Sequence, residues 1–247
     1  MTLSEQNQRE KQFHNELQSQ SRGRFENIFY KAIFNSNIDF FKFLELNAIN
    51  SKVLDFGCGV GSSLEKVIKF NPKKITGIDI SDVSISKAKE KFKDLDSKII
   101  LLVDNCEKTK FHDNKFDIVY GIGILHHLRI SECIAEIYRI LKPGGTFLFI
   151  EPLGTNPLIN LYRILTPKSR SKDEHPLVSK DFEIIKSKFN IVNLKYYGLL
   201  TLIFFPFYSR SSNSSIFNLL IKLDQFLFKA KLFRFFAWST LIVARKN

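Results

Sequence analysis

With 247 residues, 44% of them hydrophobic, the chain can bury a substantial core as one α/β domain with insertions. Its three cysteines, Cys58, Cys106 and Cys133, show neither paired nor metal-ligand spacing, which excludes a disulfide framework and predicts a reducing compartment and no metal centre. The net charge of +12 is uneven, with 22 basic against 20 acidic residues in 1–151 and 15 against 5 in 152–247, so only the last part has the field to attract nucleic acid, anionic lipid or an acidic substrate.

Residues 1–25 are rich in Gln, Asn, Glu and Ser and read as a mobile arm or a poorly packed helix. They contain no apolar run behind basic residues, so no secretory signal is expected and the cytoplasm, or its membrane face, is the expected address. From 26 to 50, apolar residues including Ile28, Ala32, Phe40, Phe41 and Leu44 recur at three- and four-residue spacings, as in helices that cover a sheet. Residues 51–151 then alternate short apolar runs (52–56, 74–80, 99–103, 116–120, 146–150) with helical stretches (62–70, 83–92, 130–141). Continuously apolar strands are buried on both faces, and their alternation with helices predicts a doubly wound, mostly parallel sheet. Ligands on such sheets bind beyond the carboxyl ends of the strands.

The remainder, 152–247, is expected on the substrate side, with helices near 158–165 and 181–189 and strands at 191–196 and 239–244. Between those strands, residues 198–236 form an apolar and basic insertion holding many phenylalanines with Lys222, Lys229, Lys231 and Arg234. The insertion is too short in any uncharged run to cross a bilayer, and it contains Pro206. It suits either core-covering helices or an interfacial element over a greasy pocket.

Val53-Leu54-Asp55-Phe56-Gly57-Cys58-Gly59-Val60-Gly61 is a strand that runs into a glycine turn. Glycines there let the backbone take tight, positive-φ conformations and let a ligand approach closely. The GxGxG spacing is one residue short of a dinucleotide fingerprint, and the preceding Asp55 suits a cationic amino-acid group better than a diphosphate. Asp79 closes the next strand 22 residues after Gly57, where a carboxylate can accept both hydroxyls of a ribose.

With Gly77-Ile78-Asp79-Ile80-Ser81, Phe116-Asp117-Ile118-Val119-Tyr120, Leu125-His126-His127-Leu128 and Leu141-Lys142-Pro143-Gly144-Gly145 in the same order, residues 50–152 closely resemble the class I methyltransferases, in particular the small-molecule group that includes quinone and sterol enzymes. The resemblance implies a seven-stranded Rossmann-like sheet with a C-terminal insertion before its last strand, and S-adenosylmethionine as cofactor. It places the methionyl end of the cofactor on Gly57, Gly59 and Gly61 and the ribose on Asp79. Asn105 falls where the family carries an acidic residue facing the adenine amine, with Asp104 beside it, and either can accept that bond. Asp55, Cys58, Ile80, Cys106, Gly121 and Ile122 are expected along the same edge.

Methyl transfer needs a general base only when the acceptor carries a proton to lose. Candidates after the fourth and fifth strands are His126 and His127, Glu151 and His175, with Glu151 and His175 preferred because the paired histidines recur across the family whatever the acceptor and suit a packing role at a helix start. The expected acceptor is a small molecule, lipid-like or a glycan or secondary metabolite, with an anionic membrane surface as a further partner. RNA ranks behind, because Tyr120-Gly121-Ile122-Gly123-Ile124 lacks the Asn/Asp-Pro-Pro-aromatic motif of base-amine methylation. A non-catalytic cofactor-binding module is the other alternative.

Overall fold

Each of the apolar runs becomes a strand of a single seven-stranded sheet in the computed structural model, which describes residues 3–19, 28–95, 98–167, 170–204 and 215–247. The strands are β1 Lys52–Phe56, β2 Lys74–Asp79, β3 Ile99–Val103, β4 Phe116–Ile122, β5 Leu141–Pro152, β6 Phe189–Tyr197 and β7 Ser239–Lys246, in the order β3-β2-β1-β4-β5-β7-β6. β1 to β5 are parallel, and β7 runs antiparallel to both β5 and β6. The order reverses at β1 and β4, which puts a crevice beyond the carboxyl ends of those two strands.

The helices are α1 Glu5–Ser19, α2 Phe34–Asn47, α3 Leu64–Val67, α4 Asp82–Lys91, α5 Ile130–Ile140, α6 Pro157–Leu165, α7 Ser179–Lys188, α8 Leu200–Ile203, α9 Ser215–Leu227 and α10 Lys231–Arg234. Alternation along β1 sends Val53 to one face and Leu54 and Phe56 to the other. The first face packs against Phe40 and Leu44 of α2 and Ile85 and Ala88 of α4. The second packs against Ile130, Cys133, Ile134, Ile137 and Ile140, which form the buried stripe of α5 at helical spacing. Both faces of the sheet are thus covered.

Two expected elements differ in detail. The helix expected at 62–70 is one turn, α3, that tightens into a 3-10 turn over Ile68–Phe70 and stops at Asn71, whose left-handed φ of 51° ends it. The N-terminal stretch is not a loose arm over residues 5–19: α1 lies across the carboxyl ends of the strands and is fixed by polar bonds. Asn7 donates to Glu107 after β3 (2.9 Å), Arg9 pairs with Asp173 (2.8 Å), Gln6 donates to the His127 carbonyl after β4 (3.1 Å), and Asn15 accepts from Ser81 after β2 (2.6 Å). Its low apolar content hid this docking, because its partners are polar too. Residues 20–25 of the expected arm lie outside the described residues.

Tyr197 pairs with Ser239, and Ser239 with Pro152, so the insertion between β6 and β7 leaves and rejoins the sheet at the same carboxyl edge. Buried Asp224 of α9 ties it together by accepting from the backbone N–H groups of Leu199, Leu200 and Thr201 and from the Thr201 hydroxyl, which satisfies the start of α8. Residues 205–214 of the insertion lie outside the described residues. Among the described residues, no helix is long and apolar enough to cross a membrane.

Candidate active site

The crevice opens over the turn Gly57–Gly61. Gly57, Gly59 and Gly61 have φ of +79°, +52° and +81°, a region that disfavours any side chain. A Cβ on Gly57 would strike Ile124 and one on Gly61 would strike Phe92, whereas one on Gly59 would meet nothing within 4 Å. The outer face of the turn at Gly59 is therefore bare backbone that a ligand can approach. The turn is anchored on β2, since the N–H groups of Gly57 and Cys58 both donate to the Ile78 carbonyl. The Cys58 side chain is buried, and burial pushes its thiol well above the ordinary range, so it packs under the turn as a small apolar group.

Asp79 sits at the tip of β2 with its carboxylate partly exposed. Oδ2 accepts from Gly59 N–H (2.9 Å) and Oδ1 from Ser81 N–H (2.8 Å), so the carboxylate is fixed in place while each oxygen keeps acceptor capacity for a ligand. Ser81 caps α4 by accepting from Ser84 N–H (3.0 Å). Ile80 beside it is half-buried.

Asp55 lies lower, 2% exposed, and its Oδ2 accepts from the Ser63 hydroxyl and from the Tyr120 hydroxyl (3.0 Å). Burial pushes its carboxyl up to about 7, only partly offset by those two bonds, and the charge of Asp79 pushes the same way. Two acids beneath the turn make a floor that disfavours a diphosphate and fits a ligand bearing an ammonium and a ribose. Neither Ser63, two residues past the glycine motif, nor Tyr120, which ends the Phe116–Tyr120 motif, is given a role by the sequence.

The side expected to face the adenine lies at the ends of β3 and β4. Val103 and Ile122 are exposed apolar residues at the two strand ends. Asp104 is 9% exposed, with Oδ1 on Asn105 N–H and Oδ2 on Lys110 N–H, so it shapes the loop. Asn105 is less buried and its Oδ1 accepts from Glu107 N–H (2.9 Å), which leaves that oxygen one lone pair. Cys106 is buried beneath them, and a Cβ on Gly121 would strike Ile124 and Phe149, so these two residues are part of the packed floor.

The catalytic candidates separate. Glu151 is fully buried and cannot touch an acceptor itself: Oε1 accepts from Ile124 N–H (2.9 Å) and Leu125 N–H (2.8 Å), and Oε2 lies 2.7 Å from His126 Nδ1. Glu151, expected as the base, is therefore enclosed, and its side chain meets His126 instead. The His175 imidazole is half exposed and meets Asp181 at the start of α7 (3.2 Å), so it stands apart from the Glu151–His126 pair, which it joins through its backbone N–H on the His126 carbonyl. His126 remains. Glu151 holds its Nδ1, which places the ring proton there, and among the described residues no hydrogen bond engages Nε2. Its Cε1 lies 3.5 Å from where a Cβ of Gly123 would stand, at the end of β4 in the crevice.

Residues 54–149 match a family model described as "Methyltransferase domain". Over 105 residues the chain is 39% identical to a sterol 24-C-methyltransferase of Kluyveromyces lactis, covering 41% of this chain and 28% of that protein. It is 35% identical over 103 residues to 24-methylenesterol C-methyltransferase 3 of Arabidopsis thaliana, with coverage of 40% and 29%. The chain thus spans under a third of the length of these relatives. Among solved structures, geranyl diphosphate C-methyltransferase from Streptomyces coelicolor, in complex with Mg2+, geranyl diphosphate and S-adenosyl-L-homocysteine, superposes with a TM-score of 0.64 at 14% identity over 86% of this chain and 78% of that one. The [4+2]-cyclase SpnF superposes with a TM-score of 0.57 at 17% identity over 85% and 81%. At these identities the structures speak for the fold alone.

Proposed function

We propose that this chain, whose residues 54–149 match a methyltransferase domain model, is a class I methyltransferase of the small-molecule kind that transfers a methyl group from S-adenosylmethionine to a lipid-like acceptor, with His126 as the base that takes the acceptor's proton. The observation that carries this reading is the bare turn at Gly59 lying against the fixed, partly exposed carboxylate of Asp79, the pairing that a ligand with an amino-acid end and a ribose requires. Gly57, Gly59 and Gly61 would hold the methionyl end, Asp79 the ribose, and the tips of β3 and β4 the adenine. The bound cofactor supplies an electrophilic methyl group on a sulfonium that leaves as a neutral thioether. The protein's work is to orient the acceptor, exclude water and receive a proton. His126 Nε2 can accept that proton, and Glu151 stabilises the imidazolium that results.

The lipid-like acceptor rests on the carboxyl-edge helices. α6 leaves Leu158, Leu161, Ile164 and Leu165 more than half exposed, and α9 carries two apolar stripes: Phe217 and Leu220, with Phe228 just past its end, pack inward while Ile216, Leu219, Leu223 and Phe226 face out. Leu232 and Phe235 farther along the insertion are exposed as well, and so are Lys222, Lys229 and Lys231. Helices that only covered the sheet would need one apolar stripe. A second stripe edged with lysines suits an anionic membrane surface from which an apolar acceptor enters. The sterol substrates in the names of the relatives agree with it.

The experiment supplies methyl-labelled S-adenosylmethionine and either a lipid or a polar metabolite extract, with vesicle cosedimentation alongside. Label should enter the lipid fraction, and the protein should pellet with anionic vesicles. Replacing Lys222, Lys229, Lys231 and Arg234 by Gln should release most of it, at roughly 1 kcal/mol per basic side chain. Label confined to polar products, with no pelleting on either anionic or neutral vesicles, contradicts the lipid reading.

A further inference from the structure

The helix that crosses the mouth of the crevice is held to the core by a group of side chains that ordinary hydrogen bonding leaves unfinished. Glu10 and His14 lie one turn apart on α1, and both face His127, in the 3-10 turn Leu125–His127 that leads into α5. Glu10 and His127 are buried, with side chains 5% and 4% exposed. Ser171 donates to Glu10 Oε1 and leaves Oε2 free. That Oε2 lies 3.2 Å from His127 Nδ1 and 3.6 Å from His14 Nε2, yet it makes no hydrogen bond, and neither does the buried His127 Nε2. Two unsatisfied polar atoms at the centre of a buried cluster are costly unless something else satisfies them.

We propose that Glu10, His14 and His127 form a binding site for one divalent transition-metal ion of the Zn2+ class, which fastens α1 across the crevice. The three residues offer ligand atoms that all lie within 4.8 Å of one another. A tetrahedral ion with bonds of about 2.0–2.1 Å spaces its ligand atoms about 3.3 Å apart, close to the 3.2 and 3.6 Å observed from Glu10 Oε2. Two imidazoles and one carboxylate favour Zn2+ or Co2+ over Mg2+, which prefers an all-oxygen octahedron. Ligation through Nδ1 would replace the 3.3 Å contact that this nitrogen makes with Ser171 Oγ and leave His127 Nε2 to carry the ring proton, with Glu174 Oε1 3.9 Å away as a carboxylate that a small side-chain shift would bring into bonding range. The fourth position falls to solvent, which the partly exposed His14 admits.

The site joins the segment after β4 to a helix whose far end bonds Ser81 through Asn15, two residues from Asp79. Occupancy would therefore set how firmly α1 closes over the cofactor side, whatever the acceptor is.

The test uses the full chain without a histidine tag, stripped with chelator and titrated with Co2+. A single saturating equivalent should appear with the intense visible absorption of a tetrahedral nitrogen–oxygen site, and Zn2+ should abolish it. Zn2+ should also raise the melting temperature and slow amide exchange in residues 5–19 at least tenfold. His14→Ala, a partly exposed position where folding should survive, should weaken Co2+ binding at least tenfold and remove the exchange protection. Glu174→Gln should weaken it about tenfold. Absence of saturable Co2+ binding, or equal affinity in His14→Ala and wild type, overturns the proposal.

Discussion

Replacing Glu151 by Gln will leave the fold intact and lower methyl transfer by about 10² to 10⁴-fold, because it moves one proton on His126. The carboxylate accepts from Ile124 N–H, Leu125 N–H and His126 Nδ1, and all three donors fix its orientation. A glutamine oxygen can keep the first two bonds only by turning its NH2 toward His126 Nδ1. That nitrogen must then accept, the ring proton shifts to Nε2, and the atom that should receive the acceptor's proton is already occupied. Cofactor affinity should stay within about twofold, since neither residue is among those assigned to the cofactor, so the loss falls on kcat. Ring-nitrogen NMR of His126 reads the tautomer directly, independent of any acceptor. An unchanged tautomer with unchanged turnover would remove the pair from the chemistry. An unchanged tautomer with lost turnover would give Glu151 a role other than orienting His126.

Asp79→Ala will cost a larger share of binding. Charge-assisted bonds are worth about 1.5–3 kcal/mol each, so losing two bonds to ribose hydroxyls weakens the cofactor by roughly 10² to 10⁴-fold. The same carboxylate holds Gly59 N–H and Ser81 N–H, so the turn and the start of α4 also lose an anchor. Asp79→Asn keeps one oxygen acceptor and should fall between wild type and Ala. Calorimetric affinity measured alongside circular dichroism separates lost binding from lost structure. A folded Asp79→Ala protein with wild-type affinity would exclude Asp79 from the site.

The cofactor turn was legible because its requirements are local. The glycines, the apolar strand before them and Asp79 at the next strand tip are each dictated by backbone geometry within a few residues, and the structure puts them together. The β6–β7 pair was readable for a related reason, since Ile191–Tyr196 and Ser239–Ala244 are apolar enough to be strands whatever lies between them. Side-chain roles set by distant partners were not. Glu151 looks like an exposed acid at a strand end, and only packing shows that the turn after β4 folds down over it and uses its charge to cap three N–H groups. His175 sits in a polar, exposed-looking stretch and is spent on Asp181. The docking of α1 was hidden for the opposite reason. Hydrophobic periodicity is the signal that reveals a packed helix, and α1 packs through Asn7, Arg9, Glu10 and Asn15. The cluster around His127 joins residues more than a hundred positions apart, a distance over which sequence spacing carries no information.

The most direct test of the central claim is a titration of the purified chain with S-adenosylhomocysteine and, separately, with a nicotinamide dinucleotide. Binding of S-adenosylhomocysteine in the micromolar range, about −8 kcal/mol, with no heat from the dinucleotide, is the expected result. Absence of heat from S-adenosylhomocysteine together with saturable dinucleotide binding would contradict it.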